Sequence, residues 1–276
     1  MPELPEVETI AAGLRKKLIG LEIQHIELRL PSLLRNDRPG HLLKLKGRRI
    51  TAVWRRGKLL IIEGEGGICL LFHLKMTGQL LWVASEEPSD RHTHLVFSFE
   101  ASCHELRFRD VRKFGFLRCL SAEALLGCHE LRDLGPEPLE LDFPAFCDRL
   151  KKRKGRLKSL LLNQTFLAGI GNIYADEMLF EAGLHPLTPA ARLTKKNAEK
   201  LWTAMRNVLE RAVEAGGSSI RDYKNADGEL GSFQNYHNVY GRETLPCPRC
   251  GGKIRRLRIG GRSSFFCPSC QKPKRI

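Results

Sequence analysis

The chain has 276 residues, enough for two domains, and its 46 Lys and Arg against 31 Asp and Glu give a formal net charge of +15 at pH 7. This positive balance indicates a polyanionic partner, either nucleic acid or an anionic membrane surface, and composition alone leaves both open. No secretory signal opens the sequence and no apolar run of about 18 residues could span a bilayer, so we expect a cytoplasmic protein without a membrane segment.

The first predicted element is an amphipathic helix that follows the acidic start MPELPEVET. Apolar residues recur at helical spacing from Val7 to Leu18, Pro5 lies near the first turn, and Gly20 is placed to end the helix. From about residue 21 to 120 the sequence changes to short β-rich runs separated by Gly-rich turns. This pattern predicts an antiparallel sandwich or barrel.

A second, helical region begins after LGPEPL at 134–139. Predicted helices cover about residues 143–150, 156–164, 173–182 and 194–215. Residues 216–240 are rich in Gly, Ser, Asn and Asp and are predicted to form a long loop. Loops of this length in a compact protein are commonly functional.

Four cysteines near the end of the chain follow the spacing C-x2-C-x16-C-x2-C. Two thiolate pairs, each closed by a tight turn and joined by a hairpin, match tetrahedral Zn²⁺. Because thiolates fill all four positions, the spacing predicts one structural ion rather than a catalytic one. The predicted ligands are Cys247, Cys250, Cys267 and Cys270.

The cysteine module is strongly basic. From Cys247 to Ile276 there are nine Lys and Arg residues and no acidic residue, which favours contact with phosphates. A second basic run, KKRKGRLK at 151–158, is typical by itself of a solvated approach to a helix. Together the two basic segments indicate a nucleic-acid footprint spread over two domains.

Three further stretches have a functional and a plain interpretation. GIGNIYADE places two glycines and Asn172 at the start of a predicted helix, where backbone amides bind phosphate, although a simple turn is favoured without other context. Met76 in HLKMTGQL is either a core residue or a wedge between bases. Arg112 and Phe114 in RDVRKFG either enter an opened duplex or belong to an ordinary hairpin.

Taken together, these motifs resemble the bacterial formamidopyrimidine-DNA glycosylases, which are also DNA-(apurinic or apyrimidinic site) lyases. The resemblance runs through MPELPEVET, RRGKLL, HLKMTGQL, DVRKFG, LGPEPL, GIGNIYADE, FQNYHNVYGR and the terminal cysteines, in that order. It therefore covers essentially the whole chain, and the N-terminal and cysteine motifs together are highly specific.

The resemblance implies an α+β multidomain fold. Residues 1–133 would form an N-terminal catalytic β-sandwich with flanking helices, and residues 134–240 a helix-two-turn-helix domain with a damaged-base loop at about 216–237. A zinc-finger β-hairpin would occupy residues 241–276. Double-stranded damaged DNA would bind in the cleft between the domains of a monomer that needs neither an obligate protein partner nor a membrane.

The implied reaction starts at the N-terminus. Once Met1 is removed, Pro2 carries a secondary amine, and an α-amino group titrates low enough to be partly neutral and nucleophilic at physiological pH. By resemblance, Pro2 attacks C1′ of a nucleotide bearing an oxidised purine, such as 8-oxoguanine or a formamidopyrimidine. The base is displaced, a Schiff base forms, and β,δ-elimination nicks the strand in base-excision repair.

The resemblance also assigns roles to other side chains. Glu3 matches the general acid that protonates the opening sugar, and Glu6 matches a second carboxylate that shapes the site. Lys58 matches the lysine that assists β-elimination, and Arg262 matches the zinc-finger arginine of δ-elimination. Met76, Arg112 and Phe114 would fill the gap left by the everted nucleotide. The implied DNA contacts are His73, Met76, His92, Arg112, Phe114, Arg153 and Asn172.

Two positions depart from the family pattern. Ser263 stands where Gly or Ala is expected, and His237 stands where an apolar residue is usual, which leaves the fine substrate preference open. Two other functions remain possible from the sequence. One is an endonuclease VIII-like enzyme for oxidised pyrimidines, and the other is a non-enzymatic zinc-ribbon DNA binder in which Pro2 and Glu3 are incidental.

Overall fold

The structure, a computed structural model, describes residues 1–35, 39–220 and 222–273. The chain divides into two units. The first consists of Met1–Arg132 with Ala215–Ser232, and the second of Asp133–Glu214 with Phe233–Ile276. No helix within the described residues combines the length and the apolar character needed to cross a membrane.

The first unit carries most of the β-structure. Its helices are α1 (Leu4–Leu18), α2 (Pro39–Leu43), α3 (Ala122–Gly127) and α4 (His129–Arg132), and a short 3-10 helix covers Pro31–Leu33. Its strands are β1 (Ile23–Leu28), β2 (Ile50–Arg56), β3 (Leu59–Gly64), β4 (Ile68–His73), β5 (Gly78–Ala84), β6 (Thr93–Phe99), β7 (His104–Asp110) and β8 (Phe116–Ser121).

Helix α1 forms where the apolar periodicity predicts it. Val7, Ile10, Leu14 and Leu18 lie on one face and are at most 1% exposed, and burial of each such side chain contributes about 1.5–3 kcal/mol. Basic residues occupy its last turn, where they complement the helix dipole. Gly20 follows with φ of 87°, a left-handed conformation that glycine adopts without strain.

Two four-stranded antiparallel sheets form the body of the first unit. Their strand orders are β1-β6-β7-β5 and β2-β3-β4-β8. Leu60 pairs with Phe72 in one sheet and Leu95 with Phe108 in the other, and all four side chains join one core cluster with the apolar face of α1. The predicted antiparallel sandwich is therefore confirmed.

The second unit contains helices followed by a β-hairpin. Its elements are α5 (Phe143–Lys151), α6 (Leu157–Leu161), α7 (Asn172–Glu181), α8 (Lys195–Glu214), β9 (Arg255–Ile259) and β10 (Arg262–Phe266), with 3-10 helices at Ala190–Arg192 and Phe233–Tyr236. Strands β9 and β10 pair in an antiparallel hairpin. The observed elements agree with the predicted α+β multidomain class.

Helix α6 is shorter than the predicted 156–164. The side chain of Asn163 accepts hydrogen bonds from the N–H of Thr165 at 2.9 Å and from its hydroxyl at 3.0 Å. These side-chain hydrogen bonds stabilise a local turn that competes with continuation of the helix, so α6 ends at Leu161.

Candidate functional site

The start of α1 is built from two buried glutamates. Glu3 and Glu6 are 3% and 1% exposed, and Pro2 before them is also buried. The two glutamates form a capping box in which the N–H of Glu3 donates to Oε2 of Glu6 at 2.7 Å. The predicted catalytic residues Pro2, Glu3 and Glu6 thus lie together at one helix N-terminus.

The second carboxylate oxygen of Glu6 anchors the segment 215–232. Oε1 of Glu6 accepts the N–H of Ser218 at 2.7 Å, and Tyr223 donates its hydroxyl to the carbonyl of Gly216 at 3.0 Å. Burial and the nearby Glu6 carboxylate raise the pKa of Tyr223. The segment, which sequence reasoning placed in the helical domain, packs in the first unit beside the helix start.

Lys58 and His73 belong to neighbouring strands. Lys58 directly precedes β3 and is 7% exposed, and Leu59 beside it pairs with His73 at the end of β4. Burial, with the charges of Lys75, Lys58 and Arg35, lowers the pKa of His73 to about 3. His73 is therefore a neutral imidazole at physiological pH.

The hydrogen bonds of His73 define its tautomer. Its Nδ1 accepts the N–H of Lys75 at 3.0 Å, so the ring proton is assigned to Nε2. His73 accordingly presents an N–H donor, while Lys58 supplies a positive charge close to it.

The predicted wedge residues come together on the surface of the first unit. Met76 and Phe114 are exposed by 39% and 52%. The Arg112 guanidinium lies 3.1 Å from Sδ of Met76 through Nη1 and 4.6 Å above the centre of the Phe114 ring. The three side chains from two loops therefore form one exposed group, which we call the wedge group.

His92, a predicted DNA contact, is half-buried. Its N–H donates to Oδ1 of Asp90 at 3.0 Å, and its carbonyl accepts the N–H of Asp110 at 2.9 Å. Its position is thus set by the main chain at the end of β7, near the turn that carries Arg112.

In the second unit, Asn172 links α7 to the β-hairpin. Its Nδ2 donates to the carbonyl of Ser263 at 2.9 Å, which leaves the second amide N–H available, and its Oδ1 has no hydrogen-bond partner among the described residues. Ser263 directly follows the exposed Arg262 on β10. The hydrogen bond to Ser263 therefore holds Asn172 near Arg262, and both are predicted site residues. Arg153 is half-buried just after α5.

The position of Lys158 shows that one part of the basic run 151–158 does not belong to the expected nucleic-acid footprint. Its side chain is 0% exposed, and Nζ donates to Oδ1 of Asp176 at 2.8 Å and to the carbonyl of Asn172 at 2.9 Å. Oδ1 of Asp176 also accepts the hydroxyl of Ser264, and Oδ2 accepts the N–H of Phe265. Lys158 is therefore part of a buried network between α6, α7 and β10 and is not a phosphate contact.

Glu177, the neighbour of Asp176, holds a second segment against α7. Its carboxylate accepts the N–H groups of Asn238, Val239 and Tyr240 at 2.9, 3.0 and 2.8 Å. The nearby His237, one of the two departures from the family pattern, is 7% exposed. Its ring meets that of Tyr240 edge-on at 5.7 Å, so the histidine takes a place in an aromatic cluster.

The four predicted metal ligands form one cluster. Their Sγ atoms all lie within 4.8 Å of one another, with Cys247 and Cys270 at 3.9 Å and Cys250 and Cys267 at 3.5 Å. Tetrahedral Zn²⁺ with Zn–S bonds of about 2.3 Å needs sulfur atoms roughly 3.8 Å apart, so the residues fit the ion. The predicted single structural zinc is confirmed.

Sequence reasoning missed three buried carboxylates, Asp110, Asp176 and Glu177. A signal was present in each case: DVRKFG places an aspartate before a turn, and NIYADEMLF places two acids inside an otherwise apolar helix. The hydrogen-bond partners of these acids are mostly distant in sequence, so no local sequence pattern predicts them.

A β-sandwich unit, a helical unit and a four-cysteine hairpin with a basic surface define a multidomain zinc protein that binds a polyanion. Family models match each part: "Formamidopyrimidine-DNA glycosylase N-terminal domain" at residues 1–117, "Formamidopyrimidine-DNA glycosylase H2TH domain" at 134–224 and "Zinc finger found in FPG and IleRS" at 245–273. The chain therefore belongs to the formamidopyrimidine-DNA glycosylase family.

Individual relatives agree over the full length. The Formamidopyrimidine-DNA glycosylase of Pelotomaculum thermopropionicum is 43% identical over 277 residues, covering 99% of this chain and 100% of that protein. A Lactococcus lactis FPG mutant in complex with Fapy-dG containing DNA has a TM-score of 0.92 at 36% identity, covering 98% of this chain and 100% of that one. Lactococcus lactis Fpg in complex with abasic site containing DNA has a TM-score of 0.90 at 36% identity, covering 98% and 99%. These matches do not favour the endonuclease VIII alternative.

Proposed function

We propose that this chain is a bifunctional DNA glycosylase and DNA-(apurinic or apyrimidinic site) lyase that removes oxidised purines, 8-oxoguanine and formamidopyrimidines, in base-excision repair. The family supports this function, as do solved relatives in complex with Fapy-dG or abasic site containing DNA. The observation that carries the proposal is the start of α1, where Pro2, Glu3 and Glu6 are buried together.

The nucleophile is the amine of Pro2. Removal of Met1 converts the Pro2 nitrogen from an amide into a secondary amine. Terminal amino groups in general titrate at about 7.7–8.0, which leaves an appreciable neutral fraction at pH 7. The amine attacks C1′, and the glycosidic C1′–N bond breaks with its electron pair leaving on the base. The proton of the Pro2 nitrogen passes to the departing base, and Glu3 protonates the ring oxygen as the sugar opens, which leaves an iminium ion between Pro2 and C1′.

Glu6 orients this pair. Both of its carboxylate oxygens accept main-chain N–H groups, one from Glu3 and one from Ser218. Glu6 therefore fixes the backbone of the proposed general acid and, through Ser218, the segment proposed to close over the damaged base.

Strand scission proceeds from the iminium ion. Loss of a C2′ proton and departure of the 3′-phosphate complete β-elimination, which Lys58 assists. Loss of the C4′ proton and departure of the 5′-phosphate then complete δ-elimination, which Arg262 assists. Hydrolysis of the iminium then releases Pro2. The neutral His73 donates Nε2–H to a phosphate, while the charge of Lys58 attracts the same anion.

Base eversion is the task of the wedge group, Met76, Arg112 and Phe114. Extrusion of a nucleotide costs a few kcal/mol of unstacking and unpairing. Stacking of a base on an aromatic ring contributes about 1–3 kcal/mol, so Phe114 alone offsets a large part of the cost. The exposed Arg112 between the other two side chains then fills the remaining space.

Phosphate contacts outside the first unit come from Asn172, Arg153 and Arg262. When bound, zinc holds the two cysteine pairs together and leaves no coordination position open to substrate. The hairpin that carries Arg262 is thereby kept in register with Asn172 through the carbonyl of Ser263. His92 supplies a further contact from the first unit.

We also propose the functional domain bounds 1–133, 134–240 and 241–276, with a damaged-base loop at about 216–237 that belongs to the second domain by chain order, although Ala215–Ser232 packs with the first unit. The matched family segments support the order of these domains. The protein is proposed to act in the cytoplasm. It is also proposed to act as a monomer without an obligate protein partner, because one chain carries the complete proposed set of catalytic and DNA-contact residues.

Borohydride trapping tests the function. Duplexes carrying 8-oxoguanine or an oxidised pyrimidine are incubated with the protein and reduced, and covalent adducts are counted. The proposal predicts an adduct that forms faster on the purine duplex. Absence of an adduct on both duplexes would refute an enzyme of this kind, and preference for the pyrimidine would favour the endonuclease VIII alternative.

A further inference from the structure

Asp110, the last residue of β7, is an unused buried carboxylate in the first unit. Its side chain is 0% exposed, and it accepts hydrogen bonds from the N–H of Gly115 at 2.7 Å, from the N–H of Arg112 at 3.1 Å and from the hydroxyl of Thr77. A buried carboxylate that lacks hydrogen-bond donors costs much free energy, so loss of any of these three hydrogen bonds would destabilise this part of the fold.

Thr77 connects the two loops of the wedge group. Its hydroxyl donates to Asp110 and accepts the N–H of Arg112 at 3.2 Å, so this N–H is shared between the hydroxyl and the carboxylate. Thr77 directly follows Met76 in the chain. One hydroxyl and one carboxylate therefore link the loop that carries Met76 to the turn that carries Arg112.

The surroundings leave Asp110 little freedom. Its N–H donates to the carbonyl of His92 at 2.9 Å, and its own carbonyl accepts Nε2–H of His94 at 2.8 Å. A Cβ at Gly115 would lie 2.7 Å from Cζ of Phe108 and 3.0 Å from Oδ2 of Asp110. Only glycine lets the turn close onto the carboxylate in this way.

We propose that Asp110 and Thr77 are positioning residues that hold Met76, Arg112 and Phe114 in one fixed arrangement, so that the three side chains enter the duplex as a unit. The inference rests on the proposed function, which assigns the wedge role to these side chains. Neither positioning residue is proposed to touch DNA, because the side chains of Thr77 and Asp110 are both buried.

The physical advantage is preorganisation. Two independent loops would lose conformational freedom when they enter the duplex, and ordering each side chain there costs free energy. A link formed before binding removes part of that cost from the eversion step. It also fixes the spacing of the three side chains before they meet the DNA.

Thr77→Val and Thr77→Ser form a matched pair. Valine keeps the shape and removes the hydroxyl, whereas serine keeps the hydroxyl. We expect Thr77→Val to slow single-turnover excision of 8-oxoguanine from duplex DNA by about tenfold, and Thr77→Ser to stay within about threefold of the parent. A fluorescent base analogue opposite the lesion should report reduced unstacking for the valine variant alone.

A second substrate distinguishes a loss of side-chain positioning from a general loss of catalytic activity in the variant. Single-stranded DNA with an abasic site needs no wedge, so Thr77→Val should form the borohydride adduct on it at the parent rate. Thr51→Val, which removes an exposed hydroxyl bonded to the carbonyl of Glu63 at 3.3 Å, controls for loss of any threonine hydroxyl and should match the parent on both substrates. Asp110→Asn, which turns one acceptor into a donor, should behave like Thr77→Val.

The outcomes distinguish the inference from the function beneath it. Equal duplex rates for Thr77→Val and Thr77→Ser, or an equal loss on duplex and single-stranded DNA, would overturn the positioning role while the parent enzyme remains active. A parent protein that forms no adduct on either substrate would overturn the proposed function itself, and this inference with it.

Discussion

The N–H of Ser218 donates a 2.7 Å hydrogen bond to Oε1 of Glu6, across 212 positions of the chain. The preceding residue, Gly217, has φ of 80°, and a Cβ there would lie 2.8 Å from the same oxygen. The helix start that carries Pro2 and the segment 215–232 are thus joined at a point where a side chain has no room.

Gly217→Ala should therefore destabilise the protein more than Gly228→Ala does. Both glycines have positive φ, which costs a non-glycine residue about 1–2 kcal/mol, but a Cβ at Gly228 would meet nothing within 4 Å. Overpacking against Glu6 should add about 1–3 kcal/mol for Gly217→Ala alone. Urea unfolding of both variants measures the difference, and equal losses would show that the segment does not rest against Glu6.

His73 should remain neutral across the physiological range. Its pKa of about 3 lies below the ordinary 6.5. Between these two pH values His73 binds a proton in the unfolded chain but not in the folded protein. This contribution to stability is complete above pH 6.5 and is lost as the pH falls toward 3. NMR of the ring nitrogens should show no titration of His73 between pH 8 and pH 5.

Lys75→Met provides the control for His73. Removing one of the positive charges that depress the histidine should raise the pKa of His73 relative to the parent protein. The electrostatic account would be contradicted if His73 of the parent protein titrates near pH 6.5, or if Lys75→Met leaves the pKa of His73 unchanged.

Two lysines of one basic run should differ sharply in their effect on stability. Lys158 is buried against Asp176, and removal of one partner of a buried pair costs about 3–5 kcal/mol, so Lys158→Met should lower the free energy of unfolding by that order. Lys151 is 78% exposed beside Asp148, and Lys151→Met should leave stability almost unchanged. Similar losses for the two variants would mean that the buried network is not formed.

Arg153→Ala should weaken DNA binding through the loss of a phosphate contact. The slope of log K against log salt should fall by about one, with a uniform effect across DNA sequences. Arg211, which is paired with Glu181 and has no proposed DNA role, provides the control, and Arg211→Ala should keep the parent slope. An unchanged slope for Arg153→Ala would remove this residue from the proposed contacts.

The sequence predicts features that depend on local pattern. Helix α1 follows from apolar spacing with a proline at its start, and the zinc site follows from two C-x2-C pairs, because each is encoded within a short stretch. The strand pattern by itself predicts a sandwich or a barrel, since alternation along a strand does not specify which strands pair, and only the family resemblance implies the sandwich.

Other features depend on contacts between distant residues. Lys158 looks like part of a solvated run until Asp176 is placed beside it, and Ser218 has no mark in the sequence that connects it to Glu6. The same holds for Asp110, whose three donors are known only once the loops are in place. The resemblance to the glycosylase family named the wedge residues, but it did not reveal what holds them together.

The identity of the residue that carries the trapped sugar tests the proposed mechanism most directly. Protein lacking Met1 is reacted with 8-oxoguanine duplex, reduced with borohydride and digested, and the modified peptide is located by mass spectrometry. A matched protein with an uncleaved N-terminal extension serves as the control. The mechanism predicts the adduct on the nitrogen of Pro2, and no adduct but nearly normal salt-dependent DNA binding for the extended protein. An adduct on Lys58, or full trapping by the extended protein, would contradict it.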